Sequence, residues 1–238
     1  MELVTAATAG DEGRRKAKVA VLPVGSFEQH GEYLPLITDS VVACAIAGEV
    51  SKIYPVFLLP PITIACSHEH AAWPGTVSIS SETLYRIVND IALSLKQSGI
   101  ERLILINGHG GNYVLSNAVQ EYNATHGTRM TLFPHSDDWQ KARDAAGLQS
   151  TMHEDMHAGE LETSLLMRVA PHLIRPGNDQ ADFIADDRRF LLTLGMSGYT
   201  KTGVIGKPSL GTEEKGKRLL DSLARSFADH LELLREAA

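Results

Sequence analysis

Val19-Ala20-Val21-Leu22-Pro23-Val24-Gly25 is a run of six apolar residues closed by a glycine. No polar residue alternates with the apolar ones, so an extended chain here buries both faces, as a parallel sheet between two layers of helix requires. Working outward, similar runs recur at 56–64, 103–106 and 130–133. Helical patterns separate them. Residues 39–53 open on Asp39 and Ser40 as capping residues, and Leu84, Ile87, Val88, Ile91 and Leu95 repeat at helical spacing before Gly99. Another helix is expected after Asn112, and Leu220, Leu223, Phe227, Leu231 and Leu234 mark one face of a long C-terminal helix. Strands alternating with helices predict an α/β protein, a three-layer α/β/α fold with a mostly parallel sheet. Residues 1–17, small and polar with a charged run, are expected to form a flexible segment before a single domain at 18–238.

Composition narrows the function. The 238 residues carry 22 Lys and Arg against 29 Asp and Glu, a net charge of −7, which argues against a dedicated nucleic-acid binder. With 43% hydrophobic and 21% charged residues, disorder, collagen and coiled coil are excluded. No apolar run approaches the roughly 18 to 20 residues of a membrane span, and the N-terminus lacks a basic segment followed by an apolar core. A soluble, cytoplasmic protein is expected. Cys44 and Cys66 form neither a disulfide framework nor a CxxC pair and read as small buried residues. Of ten histidines, six (His30, His68, His70, His109, His153 and His157) lie in short stretches that also carry Gly, Asp or Glu.

Open α/β sheets bind ligands beyond the carboxyl ends of their strands. After the first run comes Gly25-Ser26-Phe27-Glu28-Gln29-His30-Gly31. Glu28 and His30 are two apart, so in extended chain they face one side and can reach a common ion. Asp39 at the next helix start is either a ligand or an N-cap. After the third run, Asn107-Gly108-His109-Gly110-Gly111-Asn112 lacks the third glycine of a dinucleotide fingerprint, where Tyr113 stands, and has no Lys-Ser/Thr pair of a P-loop. Its glycines are read as permitting a tight turn that projects His109 into the crevice, against a purely structural histidine. The third stretch runs from His153 to Ser164. His153-Glu154-Asp155-Met156-His157 spells H-E-x-x-H by letter, but that motif binds zinc only from within a helix, and Ala158-Gly159 follow at once without helical periodicity. Glu160 is either a ligand or a first-turn carboxylate answering the helix dipole. His70, Trp73 and Trp139 are substrate-pocket candidates, while a surface role suits His68.

These motifs, with Trp73-Pro74-Gly75-Thr76, the His157-Ala158-Gly159-Glu160-x-Glu162-Thr163-Ser164 segment, Thr202 to Gly206 and Glu214-Lys215-Gly216, resemble the creatininase family in kind and in order across nearly the whole chain. The resemblance implies amide hydrolysis at two divalent metal ions per chain, with Glu28 and His109 on one ion, His30 and Glu160 on the other, and Asp39 bridging. It also implies a homo-oligomer, usually a hexamer, to whose contacts 202–216 are expected to contribute. Creatininase itself has a ligand Glu where this chain has Gly111. The Gly-His-Gly-Gly-Asn form instead resembles the branch containing formamidopyrimidine-ribotide deformylase and mycofactocin-precursor peptidase, with Glu160 expected to supply the missing carboxylate.

His and carboxylate ligands suit Zn, Mn or Fe(II). A metal pair lowers the pKa of a bound water to about 7 and polarises the amide oxygen. His157 or Glu162 then protonates the leaving nitrogen. The expected substrate is a small cyclic amide, a formamide or a short peptide. Two other readings are a noncatalytic metal- or nucleotide-binding assembly protein and a mononuclear zincin-like peptidase, the latter requiring 153–157 to be helical.

Overall fold

The computed structural model describes residues 5–236. In chain order the elements are α1 (Ala9–Arg15), β1 (Val19–Val24), α2 (Thr38–Ile53), β2 (Phe57–Leu58), α3 (Ser81–Gln97), β3 (Arg102–Asn107), α4 (Val114–His126), β4 (Met130–Phe133), α5 (Ser136–Ala146), α6 (Glu160–Val169), α7 (Leu191–Leu194) and α8 (Glu213–Glu236). The strands form one parallel sheet in the order β2-β1-β3-β4. Every residue of β1 is buried.

Two apolar cores follow from the two-residue period of the strands. Val19, Val21, Ile104, Ile106 and Phe133 pack on one face with residues of α2, α5, α6 and α8. Ala20, Leu22, Val24, Leu103, Leu105 and Met130 pack on the other with α3 and α4. The expected α/β/α layering is what forms. The C-terminal helix buries Leu220, Leu223, Phe227, Leu231 and Leu234 as its spacing predicts, and Cys44 and Cys66 are buried free thiols. No described helix is long and apolar enough to cross a membrane.

Departures from the sequence reading have local causes. The run at 56–64 pairs as a strand only over Phe57–Leu58, with an isolated bridge from Ile62 to Val24. Pro60 and Pro61 interrupt it because neither has an N–H to donate to a ladder. Within the segment expected to be flexible, residues 9–15 form α1, which Thr8 and Asp11 close with a capping box; residues 1–4 lie outside the described part. Residues 153–157 are turn and bridge rather than helix, which removes the zincin-like geometry.

The turns after β1 and β3 each need a glycine for packing. Neither Gly25 nor Gly108 has a positive φ. Each is required by close approach instead: a Cβ on Gly25 would overlap Ser40, and one on Gly108 would overlap the Asp39 carbonyl. The start of α2 is therefore pressed between the two turns. Asp39 is delivered to the carboxyl ends of the two central strands.

Candidate metal centre

Asp39 does not cap its helix, since α2 begins after Ile37 with no side-chain cap. Its carboxylate is buried and divided between two neighbours: Oδ1 lies 3.1 Å from His30 Nε2, and Oδ2 lies 3.1 Å from His109 Nδ1. Ser26 Oγ donates to Oδ2 at 2.5 Å. A 3.1 Å spacing is what two donors present when each is bound at about 2.1 Å to one ion. Three groups of potential ligands gather around this carboxylate: Glu28, Asp39 and His109; His30, Asp39 and Glu162; Glu28, His30 and His157. Within each group the ligand atoms lie within 4.8 Å of one another.

Backbone carbonyls orient the histidines. His30 Nδ1 donates to the Glu28 carbonyl at 3.1 Å, His109 Nε2 to the Cys66 carbonyl at 2.9 Å, and His157 Nε2 to the Gln29 carbonyl at 2.7 Å. In each ring the other nitrogen is left facing a carboxylate, the arrangement by which outer partners fix a ligand tautomer, and His109 Nε2 also lies 3.1 Å from Glu28 Oε2. His70 is the reverse case. Gln29 Nε2 donates to its Nδ1 at 2.8 Å, so its proton sits on Nε2, 3.1 Å from Glu28 Oε1. That sets His70 beside Glu28 without a hydrogen bond to it and outside the three ligand groups.

The electrostatics call for positive charge. Both Glu28 carboxylate oxygens are buried without a hydrogen-bond partner, and burial together with the Asp39 charge pushes Glu28 up to about 8. Burial opposes charge on His30, yet Asp39 prevails and lifts it to about 9; Glu28 and Asp39 likewise hold His109 well above its usual value against burial. Burial works to raise Asp39, but the two histidines hold it well below the carboxylate range. Divalent cations would meet the same demand, and the donor set fits them. Burial, followed by the neighbouring His30 and His70, keeps His157 neutral, and burial lifts Glu162 to about 7.

The structure brings together Glu28, His30, Asp39, His109, His157 and Glu162, and leaves Glu160 out. Both Glu160 oxygens accept from Gln149 N–H, and Oε2 also accepts from Ser150 N–H and Oγ. Lys215 Nζ donates to Oε1 at 2.6 Å. Glu162, expected as a proton donor, takes the place expected of Glu160, with Oε1 3.9 Å from His30 Nε2. His153 is exposed and bonds the Asp186 carbonyl; His68 is exposed against Ser78. Gln29, Ser26 and Glu69 were missed as contributors. The first two lie inside the quoted Gly25 to His30 stretch, whereas the Glu69 contact to His109, 3.4 Å, has no sequence signal.

A cavity of about 270 Å³ opens onto His109 and Glu162 and is walled by Val42, Trp139, Met152, Met156 and Leu161. Trp139, a substrate-pocket candidate, lines this cavity. His70 is buried against Glu28 instead of lining this cavity, and Trp73 lies outside it. Within the segment 202–216, Gly203 O accepts from Gln29 and Ile205 bridges to His157.

Comparison with known proteins agrees with this picture. The creatinine amidohydrolase (creatininase) family model matches residues 3–231. The mycofactocin precursor peptide peptidase of Mycobacterium ulcerans is 32% identical over 212 residues, 84% of this chain and 78% of that protein. The creatinine amidohydrolase of Pseudomonas putida is 24% identical, covering 89% and 87%. A solved creatininase structure described with Mn superposes with a TM-score of 0.80 at 22% identity, over 95% of each chain.

Proposed function

Since the chain belongs to the creatininase family of amidohydrolases, we propose that it hydrolyses a C–N amide bond of a short peptide at a pair of divalent ions shared by Asp39. The observation that carries this reading is the division of the Asp39 carboxylate, one oxygen toward His30 and the other toward His109. Glu28, Asp39 and His109 would hold one ion, and His30, Asp39 and Glu162 the other. Nitrogen and oxygen donors without thiolate suit manganese, zinc or ferrous iron. Bound there, such ions supply Lewis acidity toward the amide oxygen and a water that ionises near neutral pH.

The chain's own residues do the rest. Trp139, Met152, Met156 and Leu161 offer an apolar wall against which the substrate is oriented. Arg143, on the same wall, is neutralised by Asp155 at 2.8 Å. His157 is the proton carrier: the Gln29 carbonyl fixes its Nε2 proton, and its unprotonated Nδ1 takes a proton and returns it to the leaving nitrogen. With Glu162 engaged as a ligand, His157 is the remaining one of the two expected shuttles. A peptide substrate is favoured by the named activity of the relative at 32% identity and by the apolar cavity. A cytoplasmic homo-hexamer completes the reading.

The test is a screen of metal-reconstituted protein against short peptides, creatinine and formylaminopyrimidines, with metal content measured on the same sample. Two ions per chain and amine release from peptides are expected. Release from creatinine alone would overturn the substrate class, and one ion or fewer would overturn the paired centre.

A further inference from the structure

Glu69 reaches the centre from outside the three ligand groups. It sits on the 3-10 turn His68–His70, with a side chain only 14% exposed and Oε1 3.4 Å from His109 Nε2. That nitrogen already donates to the Cys66 carbonyl and lies 3.1 Å from Glu28 Oε2, so Glu69 adds a further acceptor on the side of the ring that faces away from Asp39. Among the described residues no Lys or Arg nitrogen lies within 4.0 Å of the Glu69 carboxylate.

Gly111 shows how the carboxylate is accommodated. A Cβ there would overlap Glu69 Oε1 and crowd His109 Nε2, although Gly111 does not have a positive φ. Backbone conformation therefore does not require glycine at this position. Space for the Glu69 carboxylate and for the His109 ring beside it does. Behind it lies a second cavity of about 630 Å³, lined in part by Cys66, Glu69, Gly111 and Tyr113, so the carboxylate had room to turn away from His109 and does not.

We propose that Glu69 is a positioning residue for His109, holding the imidazole from its Nε2 side so that Nδ1 stays turned to Asp39 and the ion it would hold, and that Gly111 keeps the space this requires. The inference rests on the paired-ion reading above. A carboxylate on the outer nitrogen of a ligating histidine fixes the ring and raises its basicity, and removing such partners typically costs 10- to 100-fold in metal affinity or activity.

The test titrates metal-free wild type and variants with Mn²⁺ against a chromophoric chelator and records the unfolding midpoint of each metal-free protein. Glu69→Gln keeps the shape and removes the charge; one site is expected to weaken on the order of 10- to 100-fold while the other site and the midpoint hold. Gly111→Ala leaves the charge but displaces the carboxylate and crowds the His109 ring it contacts, so a loss at the same single site, at least as large, is expected. The double variant should be no weaker than the worse single variant, because both changes break one contact. Unchanged affinity in Glu69→Gln, losses that add in the double variant, or an equal fall at both sites with a lowered midpoint would each overturn the inference. A wild type that binds no ion would instead defeat the paired-ion reading itself.

Discussion

Lys215 Nζ lies 2.6 Å from Glu160 Oε1, and the Glu160 side chain is fully buried. Two residues further along α6, Glu162 faces His30. At about 100° per residue, positions two apart on a helix point to nearly opposite sides, so the two glutamates cannot serve one centre. Glu162→Ala should therefore lose one ion and activity together. Glu160→Gln should keep both ions in the folded protein but strand a half-buried lysine, at a cost of roughly 3–5 kcal/mol. Elemental analysis and denaturant unfolding of both variants separate the roles; metal loss from Glu160→Gln with unchanged stability would reverse them.

The same pair gives a pH signature. Burial works to raise the Glu160 pKa, but Lys215, Ser150 and Gln149 bring it below the usual 4.5. A depressed folded-state value stabilises the fold above the unfolded pKa, and that stabilisation is lost as pH falls through the lower folded value. The stability gap between wild type and Glu160→Gln should be widest at neutral pH and shrink in acid below about 4.5. Urea midpoints at pH 7 and pH 3 measure it; a gap of equal size at both would show that the charge on Glu160 contributes nothing.

Asp39→Ala removes a carboxylate that faces both ligand groups. It should empty both sites, whereas Ser26→Ala, which removes only the 2.5 Å hydrogen bond to Oδ2, should weaken binding and keep the ions. Ion counts on the two variants check this. Retention of one ion in Asp39→Ala would make Asp39 a ligand of the other ion only.

What was legible in the sequence follows from how strongly each feature is written. β1 and β3 are continuous apolar runs, and α8 repeats large apolar residues on one face, so both kinds of element could be read directly. α5 could not, because the positions it buries are Asp138, Ala142, Arg143 and Ala146, two of them charged. Its charged residues are satisfied by contacts distant in sequence, including Arg143 with Asp155. At the centre, Glu28, His30, Asp39 and His109 follow or face strand ends, where the fold places ligands. Choosing between Glu160 and Glu162 needed the rotation of α6, which is set by Lys215 and by 149–150, and Glu69 needed the empty space over Gly111.

His157→Gln preserves an N–H for the Gln29 carbonyl while removing the free ring nitrogen. Both ions should remain and turnover should fall on the order of 10²- to 10⁴-fold, the usual range for a general acid or base, with little change in KM. Steady-state kinetics and metal content on one preparation decide the matter. Loss of an ion would make His157 a ligand through the Glu28–His30–His157 group.

Gly110 lines the 270 Å³ cavity, has no positive φ, and an added Cβ would meet nothing within 4 Å. Neither backbone strain nor packing therefore requires glycine at this position, in contrast to Gly108 and Gly111 on either side of the His109–Gly110 pair. What its missing side chain leaves is volume beside His109, opposite no bonded partner. Gly110→Phe should fold with a normal unfolding midpoint and bind both ions, because its Cβ meets no neighbouring atom and its ring can extend into the cavity. It should lower kcat/KM for peptides with a large apolar group by about tenfold or more, since loss of even a methylene's room in an apolar pocket is worth 10- to 200-fold. Small amides, which need less of the cavity, should be affected less. The measurement is the ratio of kcat/KM between a large and a small substrate in wild type and variant; an unchanged ratio would place the substrate outside this cavity.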